Sequence, residues 1–150
     1  LRRQLGQPLN HLTNRQKMKP KKHLALTFVP LFAACMGSAE PHELNPLHFS
    51  EALRSDPDAV LLDVRRPDEF AQSRIAGATL LNVLDTTGFC RGIDTLSRKP
   101  HYYLYCLKGL RSLRAARIMQ ERGFHVTSLD GGIDAWQQAG LSVDSALLDK

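Results

Sequence analysis

The stretch YYLYCLKGLRS (residues 102–112) joins an apolar run to a cysteine, a short loop and the beginning of a segment with helical character. A loop between a strand and a helix directs backbone N–H groups to one point, where the helix N-terminus adds partial positive charge. Such a loop binds small anions and favours the thiolate form of a cysteine, and Lys108 and Arg111 add full positive charges. The stretch therefore predicts that Cys106 is a nucleophile and that its substrate is a small anion.

The chain from residue 41 onward alternates between strand and helix patterns. The periodicity predicts strands over residues 59–64, 78–83, 102–105 and 124–129. It predicts helices over residues 49–54, from residue 67, over 112–122 and over 133–138, with a helical turn at 94–97. Residues 41–46 are predicted to be a linker, and residues 87–92, which include Cys90, a glycine-rich connection. The alternation predicts an α/β fold with a mainly parallel sheet, in which the Cys106 loop follows the carboxyl end of its strand.

The excess positive charge of the chain is confined to its N-terminal part. Residues 1–39 carry seven Lys or Arg and no Asp or Glu, whereas residues 40–150 carry thirteen Lys or Arg against fifteen Asp or Glu, a net charge of −2. A nucleic-acid-binding domain concentrates basic residues on its own surface. We therefore expect no nucleic-acid partner.

The basic N-terminal part has the pattern of an export signal. Residues 18–23 are basic, residues 24–34 are apolar, and Gly37-Ser38-Ala39 supply small residues. The pattern predicts a signal peptide over residues 18–39, cleaved after Ala39, and an exported, periplasmic protein. Residues 1–17 are expected to be a disordered extension or a start-site artefact. Lipidation at Cys35 or an uncleaved signal are the alternatives, and only these two would place the protein on a membrane.

Four groups of residues follow one another in an order that is typical of one family. They are Leu61-Leu62-Asp63-Val64-Arg65 with Glu69-Phe70, Ile75-Ala76-Gly77-Ala78, Tyr105-Cys106 with Gly109 and Arg111-Ser112, and Leu129-Asp130-Gly131-Gly132-Ile133 with Trp136. Together they resemble the rhodanese homology domain, over residues 46–143. The layout is most similar to small, exported, single-domain rhodaneses of the phage-shock-protein-E type. The resemblance implies a three-layer fold with helices on both faces of the central sheet.

The resemblance also implies a sulfurtransferase activity and assigns roles to residues. Cys106 matches the cysteine that forms a persulfide. The loop whose backbone amides surround the transferred sulfur, and which binds the substrate, corresponds to Leu107, Lys108, Gly109, Leu110 and Arg111. Asp63 and Arg65 match a polar motif that we interpret as a brace beside the sheet, with Arg65 pairing with Glu69. Arg74 is a departure, because the family often has histidine there.

The implied reaction is a covalent transfer in two steps through Cys106. The expected donor is thiosulfate or a similar small anionic sulfur compound, and the acceptor is cyanide, sulfite or a thiol. No cofactor is needed. No metal site is expected, since His42, His48, His101 and His125 lack the spacing of metal ligands.

Three other functions compete with sulfur transfer. A persulfide carrier or redox partner would use the same residues with little turnover on thiosulfate. A cysteine phosphatase is disfavoured, because its signature loop is one residue longer than the four residues between Cys106 and Arg111. A docking module without catalysis is disfavoured by the presence of the cysteine and the complete loop. Cys90 is expected to be a free thiol, the alternative being a resolving partner for Cys106.

Overall fold

The structure, a computed structural model, describes residues 40–145. Strands and helices alternate along this part of the chain as the sequence predicts. The elements are β1 (His42–Leu44), α1 (Pro46–Ser55), β2 (Val60–Asp63), α2 (Pro67–Gln72), β3 (Ser73–Arg74), β4 (Thr79–Leu80), α3 (Thr86–Asp94), β5 (His101–Tyr105), α4 (Leu110–Glu121), β6 (His125–Leu129), α5 (Gly132–Gln138) and β7 (Asp144–Ser145).

The central sheet has five strands in the order β1-β6-β5-β2-β4, and every neighbouring pair is parallel. Strands β3 and β7 form a separate antiparallel pair. Strand β5 lies in the middle of the large sheet, and its residues 102–105 are all buried. The predicted α/β fold with a mainly parallel sheet is confirmed. Cys106 directly follows the carboxyl end of the central strand, β5.

Helices cover both faces of the sheet, so the fold has three layers. On one face, Phe89 and Ile93 of α3 pack with Ala115 and Met119 of α4 against the sheet. The other face is covered by α1 and α5, where Phe49 meets the rings of Tyr103 and Trp136 edge-on, at centroid distances of 5.3 and 6.3 Å. Because both faces are covered, the strands between them are rich in apolar residues, which is the pattern that made them recognisable.

Several elements differ from the sequence-based expectation. The strand expected over residues 78–83 is reduced to β4, and the helical turn expected at 94–97 lies beyond the end of α3 except for Asp94. The expected linker at residues 41–46 contains β1, which pairs with β6 at the edge of the sheet. Helix α1 begins at Pro46 rather than at residue 49, because Asn45 Oδ1 caps it by accepting from His48 N at 3.0 Å. The expected glycine-rich connection at residues 87–92 is helical and belongs to α3, which Asp85 caps by accepting from Gly88 N at 2.9 Å.

None of the helices within residues 40–145 is long and apolar enough to cross a membrane. The predicted signal peptide and the extension before it lie outside the described residues.

Candidate active site

Cys106 lies at the floor of the loop between β5 and α4. The residue is only 1 % exposed, and its Sγ accepts a hydrogen bond from Gly109 N at 3.1 Å. A backbone N–H aimed at sulfur stabilises negative charge on it, because the donor is already oriented in the folded protein. Cys106 therefore lies at the base of the loop, where the sequence predicts it, with one backbone donor on its sulfur.

The first turn of α5 is hydrogen-bonded to the cysteine loop. Ile133 N donates to the carbonyl of Cys106 at 2.8 Å, and Asp134 N donates to the carbonyl of Leu107 at 3.1 Å. In a trans peptide the N–H points away from the carbonyl of the same unit. Because these two carbonyls face α5, the N–H groups of residues 107 and 108 point away from α5.

Two glycines allow this close fit. Gly132, at φ +62°, lies so close to the loop that a Cβ would stand 2.5 Å from the carbonyl oxygens of Cys106 and Leu107. Gly109 has φ +91°, and a Cβ there would lie 3.1 Å from Gly131 N. Both conformations favour glycine. Gly131 and Gly132 therefore both shape the cysteine loop.

Helix α4 begins at Leu110, two residues earlier than expected. Its first turn is continuous with the loop, because Leu113 N donates to the carbonyl of Gly109 at 2.9 Å. The helix therefore begins directly after Gly109, whose own N–H donates to the sulfur, and the partial positive charge of this helix end favours an anion there.

Arg111 is bound by Glu69 rather than left free. Its Nη1 and Nη2 donate to the two carboxylate oxygens of Glu69 on α2, both at 2.7 Å. The hydrogen bonds from Arg111 lower the pKa of Glu69 to about 2. The bonds to Glu69 raise the pKa of Arg111 against the effect of burial, and the charges of Glu69 and Cys106 raise it further.

The expected pairing of Arg65 with Glu69 is wrong. Arg65 is buried and binds Asp63, with Nη2 to Oδ2 at 2.6 Å, and it also donates to the carbonyl of Ser73 at 2.5 Å. Burial opposes the charge of Arg65, but the bonds to Asp63 outweigh it and raise its pKa. The brace beside the sheet is present, and it joins the end of β2 to β3.

The remaining loop residues point their side chains outward. Leu107 and Leu110 are 37 % and 79 % exposed, and Lys108 is exposed. Their backbone forms the loop while their side chains form its rim. The exposed side chains of Leu107, Lys108 and Leu110 leave only the backbone of these residues facing the cysteine, and their substrate-binding role stays a prediction.

Two buried serines next to the cysteine were not predicted from the sequence. Ser112 Oγ lies 3.7 Å from Cys106 Sγ and 2.8 Å from the carbonyl oxygen of Gly109. Ser128 on β6 donates to Ser112 Oγ at 3.0 Å. The signal that could have found Ser128 is a small polar residue on a buried strand, two positions after Val126 on the same face.

Cys90 is a free thiol, as expected, and so is Cys106. The Sγ of Cys90 lies 3.3 Å from Nη2 of Arg122, and the carbonyl oxygen of Cys90 lies 3.4 Å from Nη1 of Arg122. Arg122 is the C-cap of α4, whereas Cys106 lies at the N-terminus of that twelve-residue helix. A helix of this length is about 18 Å long, so the two thiols are too far apart for a disulfide in this fold.

Arg74, the departure from the family pattern, packs its guanidinium over the ring of Phe70 at 5.2 Å from the centroid. Within residues 40–145, no three His, Cys, Asp or Glu side chains are grouped as metal ligands.

These features define the class: an α/β protein with a cysteine loop at the carboxyl edge of a parallel sheet. Residues 48–139 match the rhodanese-like domain. The chain belongs to this family.

Comparison with individual proteins agrees with this membership. The thiosulfate sulfurtransferase GlpE of Actinobacillus succinogenes is 31 % identical over 105 residues, which cover 69 % of this chain and 91 % of that protein. A sulfurtransferase of Allochromatium vinosum is 29 % identical over 105 residues, covering 68 % of this chain and 94 % of that protein. The crystal structure of a rhodanese-related protein from Thermoplasma volcanium matches with a TM-score of 0.60 and 24 % identity, covering 69 % of this chain and 97 % of that chain. The last likeness concerns the fold alone.

Proposed function

We propose that this protein is a sulfurtransferase that moves a sulfane sulfur from thiosulfate, or a similar anionic donor, through a persulfide on Cys106. One observation carries the proposal: Gly109 N donates to Cys106 Sγ at 3.1 Å, within a loop that α5 holds in place. The names of the relatives support sulfur transfer as the type of reaction.

The first step forms the persulfide. The Cys106 thiolate attacks the outer sulfur of thiosulfate, and a new S–S bond forms. The bond between the two donor sulfurs breaks, and sulfite leaves with its electron pair. The terminal sulfur carries the remaining negative charge, which the loop amides and the N-terminus of α4 stabilise.

The second step returns the enzyme to its starting state. The acceptor, which is cyanide, sulfite or a thiol, attacks the terminal sulfur and breaks the S–S bond. The electron pair returns to Cys106 as thiolate. No general base is required when the nucleophile is already a thiolate.

The two cations of the loop, Lys108 and Arg111, have different tasks. Glu69 neutralises Arg111, so we assign to Arg111 the task of fixing the first turn of α4 against α2. Lys108 is exposed on the rim of the loop, and we assign to it the attraction of the anionic donor.

The length of the loop supports sulfur over phosphate as the transferred group. Four residues separate Cys106 from Arg111, and the guanidinium edge that would clasp a phosphoryl group already holds Glu69. A short ring of amides matches a single sulfur atom better than a tetrahedral phosphoryl group.

A thiosulfate and cyanide assay tests the proposal. We expect thiocyanate formation by the wild-type protein and none by Cys106→Ala, with Cys90→Ser as the matched control that keeps its turnover. Persulfide formation without turnover would identify a carrier instead of an enzyme. Hydrolysis of an aryl phosphate by the wild-type protein, together with failure to form thiocyanate, would contradict sulfur transfer.

We also propose that the protein is exported to the periplasm and that it is a single-domain rhodanese of the exported type. The support is the signal pattern at residues 18–39. Export would place Cys106 in an oxidising compartment, and its burial and its separation from Cys90 protect it from disulfide formation there. The mass of the mature N-terminus distinguishes cleavage after Ala39 from lipidation at Cys35.

A further inference from the structure

The hydroxyl groups of Ser128 and Ser112 form a chain that ends at the cysteine. Ser128 on β6 and Ser112 on α4 are both fully buried. Ser128 Oγ donates to Ser112 Oγ at 3.0 Å. A buried hydroxyl costs free energy unless it is hydrogen-bonded, so this pair is a specific feature of the core below the loop.

Ser112 has one proton and two acceptors for it. The carbonyl oxygen of Gly109 lies at 2.8 Å and Cys106 Sγ at 3.7 Å. Because Ser112 Oγ accepts from Ser128, its own proton is directed away from Ser128 and toward one of these two acceptors. A neutral thiol is a weak acceptor, whereas a hydrogen bond to a charged acceptor is about twice as strong as a neutral one.

The proton of Ser112 can move to the sulfur without leaving a buried group unsatisfied. When it turns away from the carbonyl of Gly109, that carbonyl keeps its bond from Leu113 N at 2.9 Å. Cys106 Sγ then receives two donors, Gly109 N and Ser112 Oγ. The bond from Ser128 polarises the hydroxyl of Ser112 and makes it a better donor.

We propose that Ser128 is a positioning residue, which directs the hydroxyl of Ser112 onto the sulfur of Cys106 when that sulfur becomes negative. Ser128 acts through Ser112 and does not itself touch the sulfur. The proposal rests on the role of Cys106 as the nucleophile in the proposed function. It adds a residue on a different strand, sixteen positions from Ser112, to the machinery that stabilises the thiolate.

Two measurements on one set of variants test this role. The first is the ultraviolet absorbance of the Cys106 thiolate at neutral pH, taken as the difference between each protein and its Cys106→Ser counterpart. The second is kcat/KM for sulfur transfer. We expect Ser128→Ala to lower the thiolate absorbance and to reduce kcat/KM about two- to fivefold, the size of one lost hydrogen bond. Ser128→Thr, which keeps the hydroxyl, restores both.

Thr127→Val is the matched control. Thr127 is buried on the same strand, and its hydroxyl lies 2.8 Å from His101 Nε2. Its replacement removes a buried hydroxyl from the other face of the sheet, so we expect a lower unfolding temperature with an unchanged thiolate absorbance. Thermal unfolding of every variant separates loss of fold from loss of the thiolate.

The combination of Ser128→Ala with Ser112→Ala shows whether the two residues act as one unit. If Ser128 works through Ser112, the double variant loses no more than Ser112→Ala alone. An additive loss in the double variant, or a wild-type thiolate absorbance in Ser128→Ala, overturns the proposal. A protein without sulfurtransferase turnover would contradict the proposed function, yet the absorbance series would still decide the role of Ser128.

Discussion

At the scale of single residues, the site depends on backbone groups more than on side chains. The donor closest to the sulfur is Gly109 N, and the carbonyls that fix the loop belong to Cys106 and Leu107. The residues that control this geometry are therefore glycines, because only they let the loop and α5 approach each other so closely. Gly132 is the tightest of these positions.

Gly132→Ala is expected to displace the loop. The new Cβ would lie 2.5 Å from the carbonyl oxygens of Cys106 and Leu107, in a conformation that other residues rarely adopt. A shift of the loop by about 1 Å can lower the rate by about a hundredfold, so we expect kcat/KM in the thiosulfate assay to fall between about ten- and a hundredfold.

Gly140→Ala is the control for this change. Gly140 also has a positive φ, +75°, but nothing lies within 4 Å of a Cβ there. We expect it to lose about 1 kcal/mol in the free energy of unfolding and to keep its kcat/KM. Equal activity losses in the two variants would show that the close fit between α5 and the loop does not matter.

At the scale of elements, the Glu69–Arg111 pair ties α2 to the first turn of α4. The side chains of Glu69 and Arg111 are 17 % and 24 % exposed, so water screens the pair only in part. The neighbouring pair of Arg66 with Asp68 is more than half exposed on both sides. Both carboxylates lie in the N-terminal turn of α2, but the Arg66–Asp68 pair is local and more exposed, whereas the Glu69–Arg111 pair joins two elements.

Glu69→Gln is expected to lose about 1–3 kcal/mol in the free energy of unfolding at neutral pH, because the charge that holds Arg111 is removed. The folded-state pKa of Glu69, about 2, is below its ordinary value of 4.5. The ionised pair therefore stabilises the fold fully above pH 4.5 and loses this contribution as the pH falls toward 2.

Urea unfolding at a series of pH values checks this prediction, with Asp68→Asn as the control at the exposed pair, where we expect a change below about 0.5 kcal/mol. The stability difference between wild type and Glu69→Gln should shrink between pH 4.5 and 2, the two limits set by this carboxyl. A stability difference that stays constant over this pH range would show that the ionised Glu69–Arg111 pair does not stabilise the fold.

The elements also show where sequence patterns are sufficient and where they are not. Strand β5, the cysteine loop and α4 are local features, and their residue types indicated them directly. The sequence pattern does not predict helix α3, because Gly88 and Gly92 have low helix propensity. The fold explains them: a Cβ on Gly88 would collide with the capping Asp85, and one on Gly92 with Leu81. Strand β1 is defined by its pairing with β6, which no local pattern reveals.

The parts of the site that escaped prediction are contacts between distant positions. Glu69 meets Arg111 across forty-two residues, and Ser128 meets Ser112 across sixteen. A charged residue has several residues of opposite charge near it in the sequence, and the sequence does not show which one it contacts. For this reason the prediction for Arg65 names the wrong carboxylate. Only the packing of α2 and β6 beside α4 selects among them.

At the scale of the whole molecule, the buried pair of Asp63 and Arg65 joins the two sheets. Asp63 ends β2 and is fully buried, while Arg65 reaches the carbonyl of Ser73 on β3. The guanidinium also lies over the ring of Tyr105, 5.6 Å from its centroid. Burial, followed by the charge of Asp63, raises the pKa of the Tyr105 hydroxyl, which accepts from Ile75 N at 3.1 Å.

Asp63→Asn is expected to cost about 3–5 kcal/mol in the free energy of unfolding, because it leaves a buried guanidinium without its counter-charge. Chemical denaturation measures this loss. Glu40→Gln removes the carboxylate of the exposed pair with Arg117 and should change stability by less than about 1 kcal/mol. A loss as small for Asp63→Asn as for Glu40→Gln would mean that the brace contributes little to the fold.

A persulfide on Cys106 is detected by the intact mass of the protein after incubation with thiosulfate and removal of the excess donor. We predict a gain of one sulfur atom, mapped by peptide mass spectrometry to Cys106, which disappears when cyanide is added and which Cys106→Ser does not acquire. No gain in mass, or a sulfur that maps to Cys90 or is also acquired by Cys106→Ser, would rule out Cys106 as the residue that carries the persulfide.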